Sequence, residues 1–164
     1  MRQAFPAITL WQPWASLIAA GCKTFEFRSR AAPARLVGQR IAIHAGARPV
    51  QVIEVRALLV KMHSANWRGT GILQREPAIR LLEAWKASPR ILPLSTITCL
   101  ATLGQPVRNA ELAAALGLDA VNDSDRDEHS NYGWPLSDIR PVPLGPPVRG
   151  ERGWWTWHGD EPSG

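Results

Sequence analysis

The sequence has little of what defines several classes of protein. Only two cysteines occur in 164 residues, Cys22 and Cys99, which excludes a disulfide framework. No apolar run approaches the roughly 20 residues that span a bilayer. Glycine and proline, 13 and 14 in number, are too few for a low-complexity chain, and a hydrophobic content of 45% is too high for disorder. These absences predict a folded protein that is not embedded in a membrane.

A secretory leader is not expected either. The N-terminal apolar stretch carries only Arg2 as a charge, and Gln12-Pro13 interrupts it. A signal peptide has a basic start and an unbroken apolar centre. The reducing cytoplasm is therefore the expected compartment.

Motifs for metals, phosphates and nucleophiles are also missing. The histidines and cysteines do not fall at zinc-ligand spacings, and there is neither a glycine-rich phosphate loop nor a Gly-x-Ser-x-Gly sequence. Asp123, Asp125 and Asp127 open like a calcium loop, but Glu128 stands where the turn needs glycine and Trp134 where the last ligand belongs. The sequence therefore predicts no metal site and no cofactor.

Charge is abundant but unevenly distributed. Residues 1–108 hold fifteen Lys and Arg against four Asp and Glu, about +11, whereas residues 109–164 hold four against ten, about −6. Twelve of the fifteen cations are arginines, whose planar guanidinium suits phosphates and stacks on bases. A solvated arginine-rich surface would give the same count. The asymmetry is compatible with an anionic partner for one face.

Periodicity and turn residues predict short strands and helices without regular alternation. Pro13 and Gly21 bracket a two-turn helix. Residues 50–62 fit a helix, although β-branched residues leave a strand open. The other predictions are strands at 7–10, 23–28, 40–44 and 95–103, helices at 76–87 and 109–116, the second capped by Asn109, and edge strands between Tyr132 and Trp157. The pattern favours an α+β fold, a small mixed β-barrel flanked by short helices.

The segment around the first helix carries the densest set of polar and aromatic side chains. Its members are Trp11, Gln12, Trp14, Lys23, Thr24, Glu26 and Arg28. Such a set could form a pocket for a base or a phosphate. By spacing alone, the simpler interpretation is an exposed strand face with a weak Glu26–Arg28 pair. His44 ends the next strand and is a candidate base, although a histidine there more often only ends the strand.

The string from Gln12 to Arg28 resembles the signature of the ASCH domain, in the PUA-like superfamily of small β-barrels. The family's Gly-x-Lys-x-x-Glu-x-Arg core is complete from Gly21 to Arg28, and Gln-Pro-Trp-Ala-Ser before it is typical of the coactivator-like branch. A second match runs from Tyr132 to Trp154. The resemblance implies one PUA-like domain over residues 1–164, with branch-specific insertions at about 48–92 and 117–131.

The resemblance implies a cleft that binds RNA or a modified base. One short branch removes the acyl group of N4-acylated cytidine with a Lys, a Thr and a Glu, and ribonuclease activity is also associated with the group. This chain has Glu26 where the second threonine of that branch works. Arg30 stands where many members have tryptophan, and Arg152 adds charge to the downstream motif. Both arginines favour a surface that contacts phosphate.

The function expected from these observations is binding of RNA, another nucleic acid or a nucleoside by a PUA-like module. The candidate binding residues are Trp11, Gln12, Trp14, Lys23, Glu26, Arg28, His44, Tyr132 and Arg152. A hydrolase acting on an acylated cytidine or on single-stranded RNA is the alternative, with Lys23, Glu26 and Thr24 as candidate catalytic residues. A protein-interaction domain built on the Trp- and Pro-rich C-terminal third is a third interpretation.

Overall fold

A computed structural model describes residues 1–122 and 130–163, and the aspartates of the calcium-like sequence lie outside these ranges. The described residues form an α+β fold, as predicted. The strands are β1 (Gln3–Leu10), β2 (Phe25–Arg28), β3 (Arg40–Ala45), β4 (Thr96–Leu103), β5 (Val107–Arg108), β6 (Tyr132–Pro141) and β7 (Trp155–Gly159). The α-helices are α1 (Trp14–Ala19), α2 (Val52–His63), α3 (Arg75–Ala87) and α4 (Asn109–Ala115). Short 3-10 turns occur at Ala34–Leu36, Trp67–Thr70 and Pro89–Ile91.

The strands form one mixed sheet in the order β2-β6-β4-β3-β1-β7, with β5 paired to β6. Only the β1–β3 pair is parallel among the described pairs. Strands β2 and β7 form the two edges of this sheet, and no pairing joins them within the described residues. The sheet is therefore open, and the predicted barrel is not confirmed.

Strand β6 differs from its prediction. Five prolines between Tyr132 and Trp157 indicate edge strands, but β6 runs for ten residues between β2 and β4. Proline lacks only the donor of a ladder hydrogen bond, and the Pro135 carbonyl still accepts from the Gly104 amide at 2.7 Å. The next amide, Leu136, donates to the Thr24 carbonyl at 2.8 Å. Strand β7 does lie at an edge, as expected.

The first helix begins and ends close to the predicted residues. It starts at Trp14, directly after Pro13, and Gly21 follows it in the left-handed region at φ 75°. That conformation is accessible to glycine at little cost. The predicted cap of α4 is wrong, because Arg108 occupies the cap position and the side-chain amide of Asn109 donates instead to the Val121 and Ser130 carbonyls.

Residues 50–62, for which the sequence left both a helix and a strand open, fall largely on the helix α2. This helix packs against α3 as a helical hairpin beside α1. The hairpin has its own apolar core, which includes Leu17, Cys22, Val55, Met62, Leu82 and Trp85. The main core lies against the sheet and includes Ile8, Ile18, Ile43, Cys99, Leu103 and Leu136. Because α1 contributes to both cores, it fixes the hairpin against the ends of β1 and β2. None of the helices in the described ranges is both long and apolar enough to cross a membrane.

Candidate nucleic-acid-binding cleft

A cleft of about 780 Å³ lies where α2 faces the ends of β1 and β2. One wall is a single stripe of α2, with Glu54, Ala57, Leu58 and Lys61 at helical spacing. The remaining lining comes from the end of β1, the start of α1, strand β2 and short connections. Those residues are Thr9, Leu10, Trp11, Gln12, Pro13, Trp14, Glu26, Phe27, Arg28, Ser29, Arg48, Thr70 and Asn122.

The floor of the cleft holds a buried carboxylate between two cations. Glu26 accepts from the Arg28 Nε at 2.8 Å, and its other oxygen lies 3.9 Å from the Lys23 ammonium. The Glu26 side chain is only 8% exposed. Arg28 also donates to the Thr9 carbonyl at 3.3 Å. The pair therefore does not lie on an exposed strand face, because both sides of β2 are covered at Glu26 and Phe27.

Lys23 lies behind this floor and does not line the cleft. Its side chain is fully buried, and the ammonium donates to the Phe25 carbonyl at 2.6 Å. The ammonium also lies 4.9 Å from the centre of the Phe27 ring and 5.4 Å from that of Trp14. Two aromatic faces and a carboxylate make this burial tolerable. The arrangement suits a lysine that fixes Glu26 electrostatically.

Two indoles stand at the entrance. Trp11 is 60% exposed, and the Arg48 guanidinium lies 4.5 Å from its ring centre. Trp14 is half-buried and lines the same cleft. Gln12 between them is buried, donating to Ser16 Oγ and to the Pro93 carbonyl, both at 2.8 Å. Gln12 thus holds the turn that presents the two indoles.

The wall formed by α2 and by Arg48 just before it supplies residues that the sequence predictions missed. Arg48 pairs with Glu54 through two contacts of 2.7 and 3.4 Å, and Glu54 also accepts from the Gln51 amide at 2.7 Å. Partial burial opposes the charge of Glu54, but these hydrogen bonds lower the pKa of its carboxyl below the usual range. Lys61 lies two turns further along the helix. The spacing 54, 57, 58, 61 is a sequence signal, but nothing local indicates that this stripe faces β1.

Besides Lys23, four candidate residues lie outside the cleft lining. His44 is buried, with Nε2 2.8 Å from the Val148 carbonyl and Nδ1 3.1 Å from Thr9 Oγ1. Burial lowers its pKa, although the hydrogen bond to Val148 opposes the shift. Thr24 and Tyr132 are half-buried, and Arg152 is exposed near the C-terminus. The structure thus brings together Trp11, Gln12, Trp14, Glu26 and Arg28, with Lys23 directly behind them.

The cleft combines a positive balance with fixed acceptors and stacking surfaces. Arg28, Arg48 and Lys61 line it against Glu26 and Glu54. Across residues 1–122 and 130–163, no cluster of three His, Cys, Asp or Glu could hold a metal ion. Cations, a carboxylate that can accept from an amine, and indole rings are the groups that bind nucleotides.

Three crystal structures of ASCH from Zymomonas mobilis are similar to this chain, each over 85% of its length. The unsubstituted protein shares 19% identity over 71% of its own chain, with a TM-score of 0.44. A serine-to-alanine mutant of that protein gives the same three values. A tyrosine-to-phenylalanine mutant shares 20% identity over 73% of its own chain, with a TM-score of 0.45. No curated protein matches the sequence.

A family model also matches this chain. The model described as the ASCH domain matches residues 8–103, from the end of β1 through β4. This range contains the Gly21–Arg28 motif and the α2 wall of the cleft. Because the match covers more than half of the sequence, the protein belongs to the ASCH domain family.

Proposed function

We propose that this ASCH domain binds single-stranded RNA, with one nucleobase held in the cleft between α2 and the ends of β1 and β2. The observation that most supports this proposal is the Glu26 carboxylate at the floor of the cleft. It is 8% exposed and accepts a hydrogen bond from Arg28 at 2.8 Å, and two indoles line the same cleft. A fixed carboxylate accepts hydrogen bonds from an exocyclic amine. Arg28 supplies a donor for a base carbonyl or a phosphate. Trp11 offers a stacking face at the entrance.

Lys23 acts in this proposal as a positioning residue. Its ammonium holds Glu26 from behind the floor, at 3.9 Å, and the two aromatic rings shield it from solvent. A hydrolytic role would require the Lys23 amine to reach a substrate carbonyl, and its side chain has no exposed surface. Binding without turnover therefore fits the geometry better than the hydrolase interpretation. Incubation with single-stranded RNA and with N4-acetylcytidine, followed by chromatography, should return both unchanged.

The test is fluorescence anisotropy of a labelled single-stranded RNA of mixed sequence, titrated with wild type and Trp11→Ala. Stacking of a base on an aromatic ring contributes about 1–3 kcal/mol. We therefore expect Trp11→Ala to weaken binding by about 5- to 150-fold. Because Trp11 is 60% exposed, its loss should leave the urea midpoint of unfolding nearly unchanged.

Arg56→Ala is the control for a substitution outside the cleft. Arg56 is an exposed residue of α2, but it lines a separate shallow depression with Glu83 and Lys86. Its loss removes an exposed side chain of α2 without touching the cleft, so RNA affinity should stay close to that of the wild type. Absence of RNA binding by the wild type, or equal affinities for wild type and Trp11→Ala, would overturn the proposal.

A further inference from the structure

The two sides of the cleft differ in the chemistry that they offer. The floor presents Glu26 and Arg28 beside the indoles. The opposite wall, the α2 wall, presents Lys61 and Glu54 from α2 together with Arg48, which precedes the helix and pairs with Glu54. A nucleoside is uncharged and needs only the first set of groups. The cations of the α2 wall are therefore more than a nucleoside needs.

Glu54 does not make this wall acidic. Both of its oxygens are engaged, one by Arg48 Nη2 at 2.7 Å and the other by the Gln51 amide at 2.7 Å. Arg48 has five N–H donors, and its two terminal nitrogens each donate one hydrogen bond to Glu54. The pair also holds the guanidinium against the Trp11 ring, at 4.5 Å. Arg48 is thus oriented, with donors left for an acceptor in the cleft.

Lys61 adds a charge that no carboxylate of residues 1–122 or 130–163 pairs with. Its side chain is exposed on the cleft side of α2, and no ion pair joins its ammonium to any carboxylate of the described residues. Glu54 and Lys61 are seven residues apart, which is about 10 Å along a helix. The wall from Arg48 to Lys61 is therefore longer than a single phosphate group. Such a wall suits a chain of phosphates.

We propose that the α2 wall is a phosphate subsite, in which Lys61 and Arg48 contact the backbone of the strand whose base occupies the floor. This inference rests on the proposed function and assigns the ligand class. The ligand is a phosphodiester strand rather than a free nucleoside. Lys61 neutralises a phosphate as a point charge, and Arg48 donates beside the base stacked on Trp11.

Salt dependence separates this subsite from the base subsite. Each phosphate contact on a single strand contributes about 0.7 to the slope of log affinity against log salt. The anisotropy titration with the labelled mixed-sequence RNA is repeated from 50 to 300 mM NaCl for wild type, Lys61→Gln and Lys61→Arg. We expect Lys61→Gln to lower the slope by about 0.7 and the affinity at 0.1 M salt by about fivefold. Lys61→Arg should retain both, and Arg56→Gln is the control on the opposite face of α2.

A competition arm tests the ligand class directly. The four unmodified nucleosides and their 5′-monophosphates displace the labelled RNA from wild type and from Lys61→Gln. The monophosphates should compete better than the nucleosides against wild type, and this advantage should shrink in Lys61→Gln. Equal competition by both classes, or the same salt slope in Lys61→Gln and Arg56→Gln, would refute the phosphate subsite.

The outcomes distinguish this inference from the proposed function. If Trp11→Ala weakens RNA binding while Lys61→Gln keeps the wild-type slope, the base subsite stands and the α2 wall does not bind phosphate. If the wild type binds no RNA at any salt concentration, both proposals fail together. If both variants weaken binding but only Lys61→Gln changes the slope, both are supported.

Discussion

The buried Lys23–Glu26 pair gives the sharpest test of how the cleft floor is held together. The two side chains are 0% and 8% exposed, and their charged atoms are 3.9 Å apart. Removing one partner of a buried pair typically costs about 3–5 kcal/mol, because the other charge stays buried. Glu26 keeps Arg28 at 2.8 Å, and Lys23 keeps the Phe25 carbonyl at 2.6 Å. We therefore expect the low end, about 3 kcal/mol, for each of Lys23→Met and Glu26→Gln.

The double variant measures the interaction itself. With both charges removed, neither side chain is left as an uncompensated ion. The double variant should therefore lose less unfolding free energy than the two single variants lose together. We expect a coupling energy of about 2 kcal/mol from urea unfolding of the wild type, both single variants and the double variant. Because Met and Gln nearly preserve side-chain volume, the cavity contribution stays small.

A second Lys–Glu pair in the same chain provides the control. Glu83 and Lys86 also stand three residues apart and approach more closely, at 2.6 Å, but their side chains are 48% and 37% exposed. Water screens an exposed pair, so its coupling should stay below about 0.5 kcal/mol despite the shorter distance. The reasoning would be refuted if the two cycles gave the same coupling, or if the Lys23–Glu26 losses were additive.

Two further predictions concern the contact between His44 and the segment that follows β6. Burial lowers the pKa of His44 in the folded state, so the unfolded chain binds the extra proton more readily, and stability should fall as pH drops below about 6.5. Urea unfolding between pH 5 and 8 should show this slope in wild type and lose much of it in His44→Gln, which keeps a donor for Val148. Gly150→Ala would place a Cβ 2.6 Å from His44 Nδ1 and should cost about 1–3 kcal/mol by thermal or urea unfolding. Gly145→Ala, with nothing within 4 Å of its Cβ, should change stability by less than about 0.5 kcal/mol.

Each of these two predictions has a clear contrary result. An unchanged pH slope in His44→Gln would assign the acid sensitivity to another group, and His63→Gln serves as a check because His63 is exposed. Equal stabilities of the Gly150 and Gly145 variants would mean that the segment can move away from His44 without cost.

The sequence alone determined the elements whose signals are local. The helix after Pro13 ends before Gly21. Alternation predicts the strand at 40–44, and the turn at Pro89 and Pro93 predicts the strand at 95–103. In the structure the first strand is one residue longer and the second one residue shorter. The motif from Gln12 to Arg28, followed in order by a second match from Tyr132 to Trp154, predicted the family. Turn chemistry, apolar periodicity and a contiguous motif are all properties of a few neighbouring residues, so one chain suffices to recognise them.

The arrangement of β6 and the burial of Lys23 depended on distant contacts. Proline content indicates an edge strand, yet β6 is central because β2 and β4 both pair with it from far away in the chain. Lys23 becomes inaccessible because the segment before α3 closes over it, with the Leu73 amide donating to the Cys22 carbonyl at 2.9 Å. No local pattern indicates which strand or loop, 50 or 100 residues away in the sequence, packs against a given segment.

For the same reason, only the part of the cleft that comes from one continuous segment could be predicted from the sequence. Trp11, Trp14, Glu26 and Arg28 were found from one segment, because short-range geometry already brings a helix start and the following strand together. The α2 wall was missed, because the orientation of an amphipathic helix follows from what its apolar face packs against. Only packing of α2 on α1 and α3 turns Lys61 toward β1. The sequence therefore determined the floor of the site, and the tertiary structure decided the wall that faces it.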